Sequence, residues 1–293
     1  MKEALFYKKH DDGKVECELC PHNCLVRLNH KGLCNVRRNV DGILYSDNYG
    51  VLSAIALDPV EKKPLKDFMP GTKILSIGSV GCNLFCDFCQ NWQISRAADE
   101  AIASTLVENV YTPEQIVQLA IDAKSKGNIG LAYTYNEPTV WFEFMYDAAY
   151  LIKEAEMINV MVSNGYISHK PLQMILPFTD AFNIDLKASG NEFYNRLTKS
   201  SIDPVIQTIQ TIDKAKKHLE ITYLVIPGKN DNPAEFRTLM ESLSRNLVNP
   251  VSLHINRYFP AYRMNIDPTS FESLQELQAI ARSYFGRVYI GNV

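Results

Sequence analysis

Residues 81–92 read GCNLFCDFCQNW and set cysteines at 82, 86 and 89 directly behind KILSIG (73–78), a short apolar strand candidate. Three thiols are one short of a closed tetrahedral metal site and one too many for a disulfide. They suit three corners of an iron–sulfur cubane. Thiolates are the usual ligands of such clusters, and a missing fourth leaves one iron open to a substrate or cofactor. On spacing alone, a zinc knuckle completed by a distant histidine and plain core cysteines compete with this reading.

Downstream of the loop, strand and helix patterns alternate. Thr112 caps a predicted helix with Pro113 at its first position and Glu114 in its first turn, and Gly127 stops it. IGLAYTY (129–135) reads as a strand and TVWFEFMYDAAYLIKEAEMIN as a long amphipathic helix. Strands follow at VMVSNG (160–165), AFNIDLK (181–187), LEITYLVIPG (219–228) and VSLHINRY (251–258), with helices between them and a last helix before RVYIG. This alternation predicts an α/β protein with a parallel sheet. Polar residues gather at the C-terminal ends of the strands: the cysteine loop, Asn136-Glu137, Ser163-Asn164, Asp185 and Lys187. Barrels and open α/β sheets build their sites at that edge.

Composition narrows the function classes. At 293 residues and 46% hydrophobic, the chain can bury a full core. A net charge of −3 and no basic block longer than Lys8-Lys9-His10 give no nucleic-acid signature. The most apolar long stretch, 129–152, is interrupted by Asn136, Glu137, Pro138, Glu143 and Asp147, so no membrane span is expected. MKEALFYKKHDDGK is not a signal peptide. The expected location is cytoplasmic, where clustered cysteines serve as metal or redox groups. Because the sequence stops abruptly on VYIGNV, a further C-terminal piece is expected.

Residues 17–34, CELCPHNCLVRLNHKGLC, carry Cys17, Cys20, Cys24 and Cys34. Four thiols can close a site and leave nothing open. A structural zinc would fold a small knuckle, and a second iron–sulfur cluster would relay electrons. The spacing permits either, with a slight lean to zinc. His22 and His30 lie inside the segment and are read as solvated rather than ligating. The expected division is a cysteine-rich metal-binding segment at 1–70 and a second unit at 71–293.

The loop GCNLFCDFCQNW, with Phe88 before its third cysteine, resembles the cluster loop of radical S-adenosylmethionine (SAM) enzymes. TYNEPT (134–139) lies where that family has its Gly-Gly-Glu-Pro motif, keeping Glu137 and Pro138 but replacing both glycines with Tyr135 and Asn136. SNG (163–165), NIDLK (183–187) and LVIPGKND (224–231) are similar to motifs of glycyl-radical-enzyme activases such as the pyruvate formate-lyase activating enzyme. DPVEKKPLKDFMPG (58–71), SIGSVGCNLFCDFCQN (76–91) and LHINRYFPAYRM (253–264) bring the chain closest to the activase-like AmmeMemoRadiSam system radical SAM enzymes. The resemblance implies a partial (β/α)6 TIM-like barrel behind the small N-terminal cysteine-rich segment. It implies a [4Fe–4S] cluster on Cys82, Cys86 and Cys89 whose open iron takes SAM. Reduction cleaves SAM to methionine and a 5′-deoxyadenosyl radical that abstracts hydrogen from an unidentified small-molecule or protein substrate. An electron donor of flavodoxin or ferredoxin type is implied too. Asn136, Glu137, Ser163, Asn164, Asp185 and Lys187 are the candidate cofactor-binding residues, Glu137 pairing with the SAM ammonium.

Alternatives remain at this stage. Glu137 also reads as a carboxylate starting a helix near Thr139, and Asp185 with Lys187 as a structural ion pair on one strand face. His254, Arg257, Tyr258 and Tyr262 are candidates for contacts to SAM or a substrate carboxylate, or for a buried network. A glycyl-radical-enzyme activase is the narrower functional reading. A non-enzymatic iron–sulfur or zinc carrier or scaffold is the reading from another class.

Overall fold

The computed structural model describes residues 1–96 and 110–293. Its centre is an eight-stranded sheet in which the strands lie in chain order. They are β1 (Ala54–Pro59), β2 (Lys73–Gly78), β3 (Asn128–Tyr133), β4 (Ile158–Ser163), β5 (Ala181–Asp185), β6 (His218–Val225), β7 (Ser252–Arg257) and β8 (Arg287–Gly291). β1 runs antiparallel to β2, and every later pair is parallel. Six crossovers join β2 to β8, and among the described residues β1 and β8 do not pair with each other. This is the expected partial (β/α)6 barrel, with RVYIG added as a parallel strand and β1 as an antiparallel edge. β1 lies within the 1–70 segment by sequence, yet it belongs to the main sheet. The residues before it form two small antiparallel sheets of three strands each.

Local chemistry sets the crossovers. Helix α1 (Pro113–Asp122) begins on a capping box: Thr112 Oγ1 accepts from Gln115 N–H, and the Gln115 side chain accepts from Thr112 N–H. The long helix expected from Thr139 is divided. A 3₁₀ turn at Pro138–Trp141 precedes α2 (Phe142–Glu154), because Glu137 caps Thr139 N–H at the start of the turn. Glu156 then takes a left-handed φ of 55°, so the chain enters β4 at Ile158, earlier than the expected Val160.

One end of the barrel is sealed by residues 60–69. Val60, Leu65 and Phe68 pack on Ile74, Ala132, Val160 and Ala181, residues of four adjacent strands. Two backbone N–H groups, of Lys66 and Asp67, donate to Glu220 at 3.1 and 2.9 Å. The opposite edge is aligned by register, pairing Ile77 with Tyr133, Tyr133 with Met161, Ser163 with Ile184 and Asp185 with Thr222. The residues that follow these strand ends therefore meet along one rim.

Candidate active site

The cysteine loop leaves β2 through Gly78 and is pinned on several sides. Phe85 N–H and Asp87 N–H donate to the Thr198 and Leu197 carbonyls at 2.9 and 3.1 Å, and Arg263 N–H donates to the Asp87 carbonyl. Asn136 braces the loop from β3: its Oδ1 accepts from Ser79 N–H, and its Nδ2 donates to the Gly81 carbonyl, both at 2.9 Å. Tyr135, standing where the family motif has a glycine, adopts a glycine-like φ of 68°. Its Cβ lies so near Gly78 that a side chain there would approach it to 2.8 Å.

One pocket at this rim is lined by Cys82, Cys86, Cys89, Asn136, Glu137, Ser163, Asn164, Asp185 and Lys187, together with Phe88, Tyr135, Lys62 and Lys63. Every candidate cofactor residue from the sequence is thus brought to one cavity. Among the described residues no three Cys, His, Asp or Glu side chains are gripped around a common point as in a formed metal site. The fit of a cluster rests instead on donor chemistry: three free thiols on one wall, with N–H groups turned to the first of them. Leu84 N–H and Asn164 Nδ2 donate to Cys82 Sγ at 3.4 and 3.8 Å. Burial pushes the Cys82 thiol far up, with the Glu137 charge adding to the effect. Burial likewise lifts Cys86 to about 11, while Lys187 pulls the other way. Both hold their protons at neutral pH unless a metal displaces them.

Glu137 is 3% exposed and accepts from four groups of the protein. Oε1 takes Thr139 N–H at 3.0 Å, Thr139 Oγ1 at 2.6 Å and Ser163 Oγ at 2.8 Å, and Oε2 takes Asn164 N–H at 2.8 Å. The helix-start role is real, and it coexists with a place in the pocket wall. Burial raises the Glu137 pKa, and its four uncharged donors do not reverse this. Asp185 and Lys187 face the same way and form an ion pair at 3.1 Å. Burial works against the Lys187 charge, but Asp185 and Cys86 outweigh it and the pKa is raised.

His254, Arg257, Tyr258 and Tyr262 do not line this pocket, and the buried-network reading describes His254 and Tyr258, whereas Arg257 and Tyr262 are only partly buried. His254 Nε2 meets Glu220 at 2.6 Å, Arg257 donates to the Thr269 carbonyl, and Tyr258 donates to the Met264 carbonyl. Tyr262 stacks on Trp92. Sequence reasoning missed Lys63, which is 3% exposed and lies in the pocket wall. It donates to Asp58 at 2.8 Å beneath the Tyr135 ring, whose hydroxyl donates to the same carboxylate. The signal was present in DPVEKKPLKDFMPG, but nothing there marks one of two neighbouring lysines as buried. Asn83, fully buried beside Cys82, was missed as well; it accepts from Asn164 Nδ2 and donates to the Tyr166 carbonyl.

Comparison with known proteins agrees with this geometry. A protein of Methanocaldococcus jannaschii, known as uncharacterized protein MJ0808, is 39% identical over 295 residues, covering 100% of this chain and 86% of its own. The (2S)-3-sulfopropanediol dehydratase activating enzyme of Klebsiella oxytoca is 23% identical over 118 residues, 40% of this chain and 37% of that protein. In fold, a radical SAM methyltransferase from Sphaerobacter thermophilus superposes with a TM-score of 0.56 at 17% identity, over 76% of this chain and 67% of the other. Residues 76–243, from within β2 into the helix before β7, match the family model of the Radical SAM superfamily, so more than half of the chain carries that signature. The chain belongs to the Radical SAM superfamily.

Proposed function

We propose that this chain is a radical SAM enzyme that cleaves SAM reductively and directs the 5′-deoxyadenosyl radical to hydrogen abstraction from a substrate. The observation that carries the proposal is the single pocket shared by the three thiols of the loop and the six polar candidates from β3, β4 and β5. A bound [4Fe–4S] cluster would supply the electron that breaks the sulfonium carbon–sulfur bond. Cys82, Cys86 and Cys89 would hold it, with Leu84 N–H and the Asn164 amide tempering the charge on the Cys82 sulfur. Glu137 would receive the SAM ammonium, and Asn136 keeps its strand-end segment tied to the loop. Lys187 and Asp185 would line the pocket near Cys86, where the adenosyl group or the substrate would be oriented. The electron donor would be of flavodoxin or ferredoxin type. Seven free cysteines suit a reducing cytoplasm, and among the described residues no helix is long and apolar enough to cross a membrane.

The narrower reading, activation of a glycyl radical enzyme, is supported by the partial likeness to the sulfopropanediol dehydratase activating enzyme. A carrier or scaffold would have no use for the polar wall opposite the thiols. Anaerobic reconstitution with iron and sulfide, then reduction with SAM present, tests the proposal by the formation of 5′-deoxyadenosine. A protein that incorporates the cluster yet forms none, with a competent reductant, refutes it.

A further inference from the structure

The four cysteines of the N-terminal segment lie outside the pocket described above, around a small cavity of their own. Cys17, Cys20, Cys24 and Cys34 line it, with His22, Asn83 and Arg37 as polar neighbours and Leu19, Leu33 and Val140 among the apolar ones. Local turns fold the segment around this cavity, and the four thiols share its walls without yet standing around a common point. Cys17 N–H donates to the Cys24 carbonyl at 2.9 Å, Asn23 N–H to the Cys20 carbonyl at 3.1 Å, and Asn35 N–H to the Gly32 carbonyl at 2.9 Å. Gly32 leaves space beside Cys24, because a Cβ there would stand 3.7 Å from its sulfur. All four thiols are free.

Arg37 is the second observation. Its side chain is 1% exposed and is held by Glu143, itself 1% exposed, through Nη2 alone. A carboxylate usually takes two nitrogens of the guanidinium fork. Here Nε and Nη1 are buried without a hydrogen-bond partner. Arg37 lines the same cavity as the Cys17 and Cys34 thiols. Orphaned buried donors are rare and call for an acceptor. A neutral thiol is a weak one, whereas a metal-bound thiolate is strong and commonly receives N–H groups from a surrounding shell.

We propose that Cys17, Cys20, Cys24 and Cys34 close on one thiophilic metal centre, a zinc ion or a cubane cluster, and that Arg37 is the positioning residue donating to its thiolates through Nε and Nη1. Loading of Zn²⁺, or of a preassembled [4Fe–4S]²⁺ core, displaces one proton from each thiol to solvent and changes no oxidation state. The product is a dianionic tetrathiolate centre for either Zn²⁺ or a [4Fe–4S]²⁺ core. His22 stays outside the ligand set, since its Nε2 is engaged with the Asn83 carbonyl at 2.8 Å. The centre would back directly onto the catalytic loop. A Cβ on Gly81 would come within 2.9 Å of the Cys34 carbonyl, and Asn83 forms part of the cavity wall.

The test removes the other cysteine set first, so that its failure is separable from failure of the SAM proposal. The full chain carrying Cys82→Ser, Cys86→Ser and Cys89→Ser is purified anaerobically and analysed for metal. About one zinc per chain, or about four irons with matching sulfide and a brown colour, supports the centre and identifies its occupant. Less than about a tenth of either amount, after reconstitution with zinc and with iron and sulfide in turn, overturns it. Arg37 is then tested in that background by pairing Arg37→Met with Glu143→Gln, which removes the buried ion pair as a unit. Release of the metal to a chelator should accelerate roughly tenfold or more. Arg37→Lys, which keeps a charge but loses the planar fork, should restore only part of the retention. An unchanged release rate in the folded double variant, or full retention in Arg37→Lys, overturns the role given to Arg37.

Discussion

The two cysteine sets touch at Gly81, yet their surroundings differ in kind. Cys82, Cys86 and Cys89 look into a pocket open along the sheet rim and shared with Glu137, Asn164, Asp185 and Lys187. Cys17, Cys20, Cys24 and Cys34 look into a small cavity whose other walls include Leu19, Leu33 and Val140 beside His22, Asn83 and Arg37. The proposed open site is bordered by polar groups able to hold a second molecule, and the proposed four-thiol site is not. The number of thiols can be read in a sequence; the accessibility that follows from it appears only when distant strands are brought together.

The sharpest way to break the comparison is to remove one thiol from each set. Cys86→Ala should abolish SAM cleavage, lowering 5′-deoxyadenosine below detection by chromatography, while the melting temperature barely changes. Substantial cleavage by that variant would end the assignment of the open loop. Next in size, Cys17→Ser combined with Cys24→Ser should lower the melting temperature by roughly 5–10 °C, since about 1 kcal/mol moves a protein of this size by a few degrees. Calorimetry of the two proteins side by side decides whether one set serves chemistry and the other the fold. Equal melting temperatures would remove the distinction.

Much of the fold was legible because hydrophobic period and turn chemistry are local. KILSIG and AFNIDLK announced buried strands, while RVYIG is not read as one; Thr112 and Pro113 announced the start of α1, and Gly127 stops the 3₁₀ turn that continues it. The rim residues were legible for a different reason: the ends of parallel strands must converge wherever the strands are wound in order. The missing pieces depend on long-range partners. β1 becomes an edge strand only by pairing with β2, and Lys63 becomes a buried amine only because Asp58 and Tyr135 enclose it. Arg37 reads as an ordinary surface residue until Glu143, more than a hundred positions away, meets it.

Two carboxylates extend the comparison from thiols to the groups around them. Glu220 and Glu137 each accept four hydrogen bonds from the protein. The donors to Glu137 are uncharged, and burial raises its pKa. Burial acts on Glu220 in the same sense, but His218 and His254 overcome it and lower its pKa from 4.5 to about 2. A lowered carboxylate pKa stabilises the fold fully above the unfolded value, and that contribution disappears as pH falls through the folded one. Glu220 should therefore supply roughly 3 kcal/mol that is present above about pH 4.5 and gone near pH 2, at about 1.4 kcal/mol per unit. Denaturant titrations across that range should show the slope, and Glu220→Gln should flatten it. A slope unaltered by the substitution would place the acid sensitivity elsewhere.

Glu137 then poses the finest test, because it is a buried carboxylate with no cation among its protein donors. An arriving ammonium would find a carboxyl group already oriented by Thr139, Ser163 and Asn164. A hydrogen bond to a charged partner contributes about 1.5–3 kcal/mol, equivalent to roughly a tenfold to hundredfold change in affinity. Glu137→Gln preserves the shape but removes the charge, and its amide NH₂ must face at least one of the donors that the carboxylate accepted. The reconstituted variant should therefore keep its cluster absorption, lose a little stability, and bind SAM about tenfold to a hundredfold more weakly in equilibrium dialysis. Glu137→Ala should be worse in both respects, because it takes the acceptor from all four donor groups. If Glu137→Gln loses stability while its SAM affinity stays at the parent value, the carboxylate is a helix cap and a tie between strand ends only. The ammonium would then have to be held by backbone carbonyls at the same rim, and the polar wall opposite the three thiols would lose its leading member.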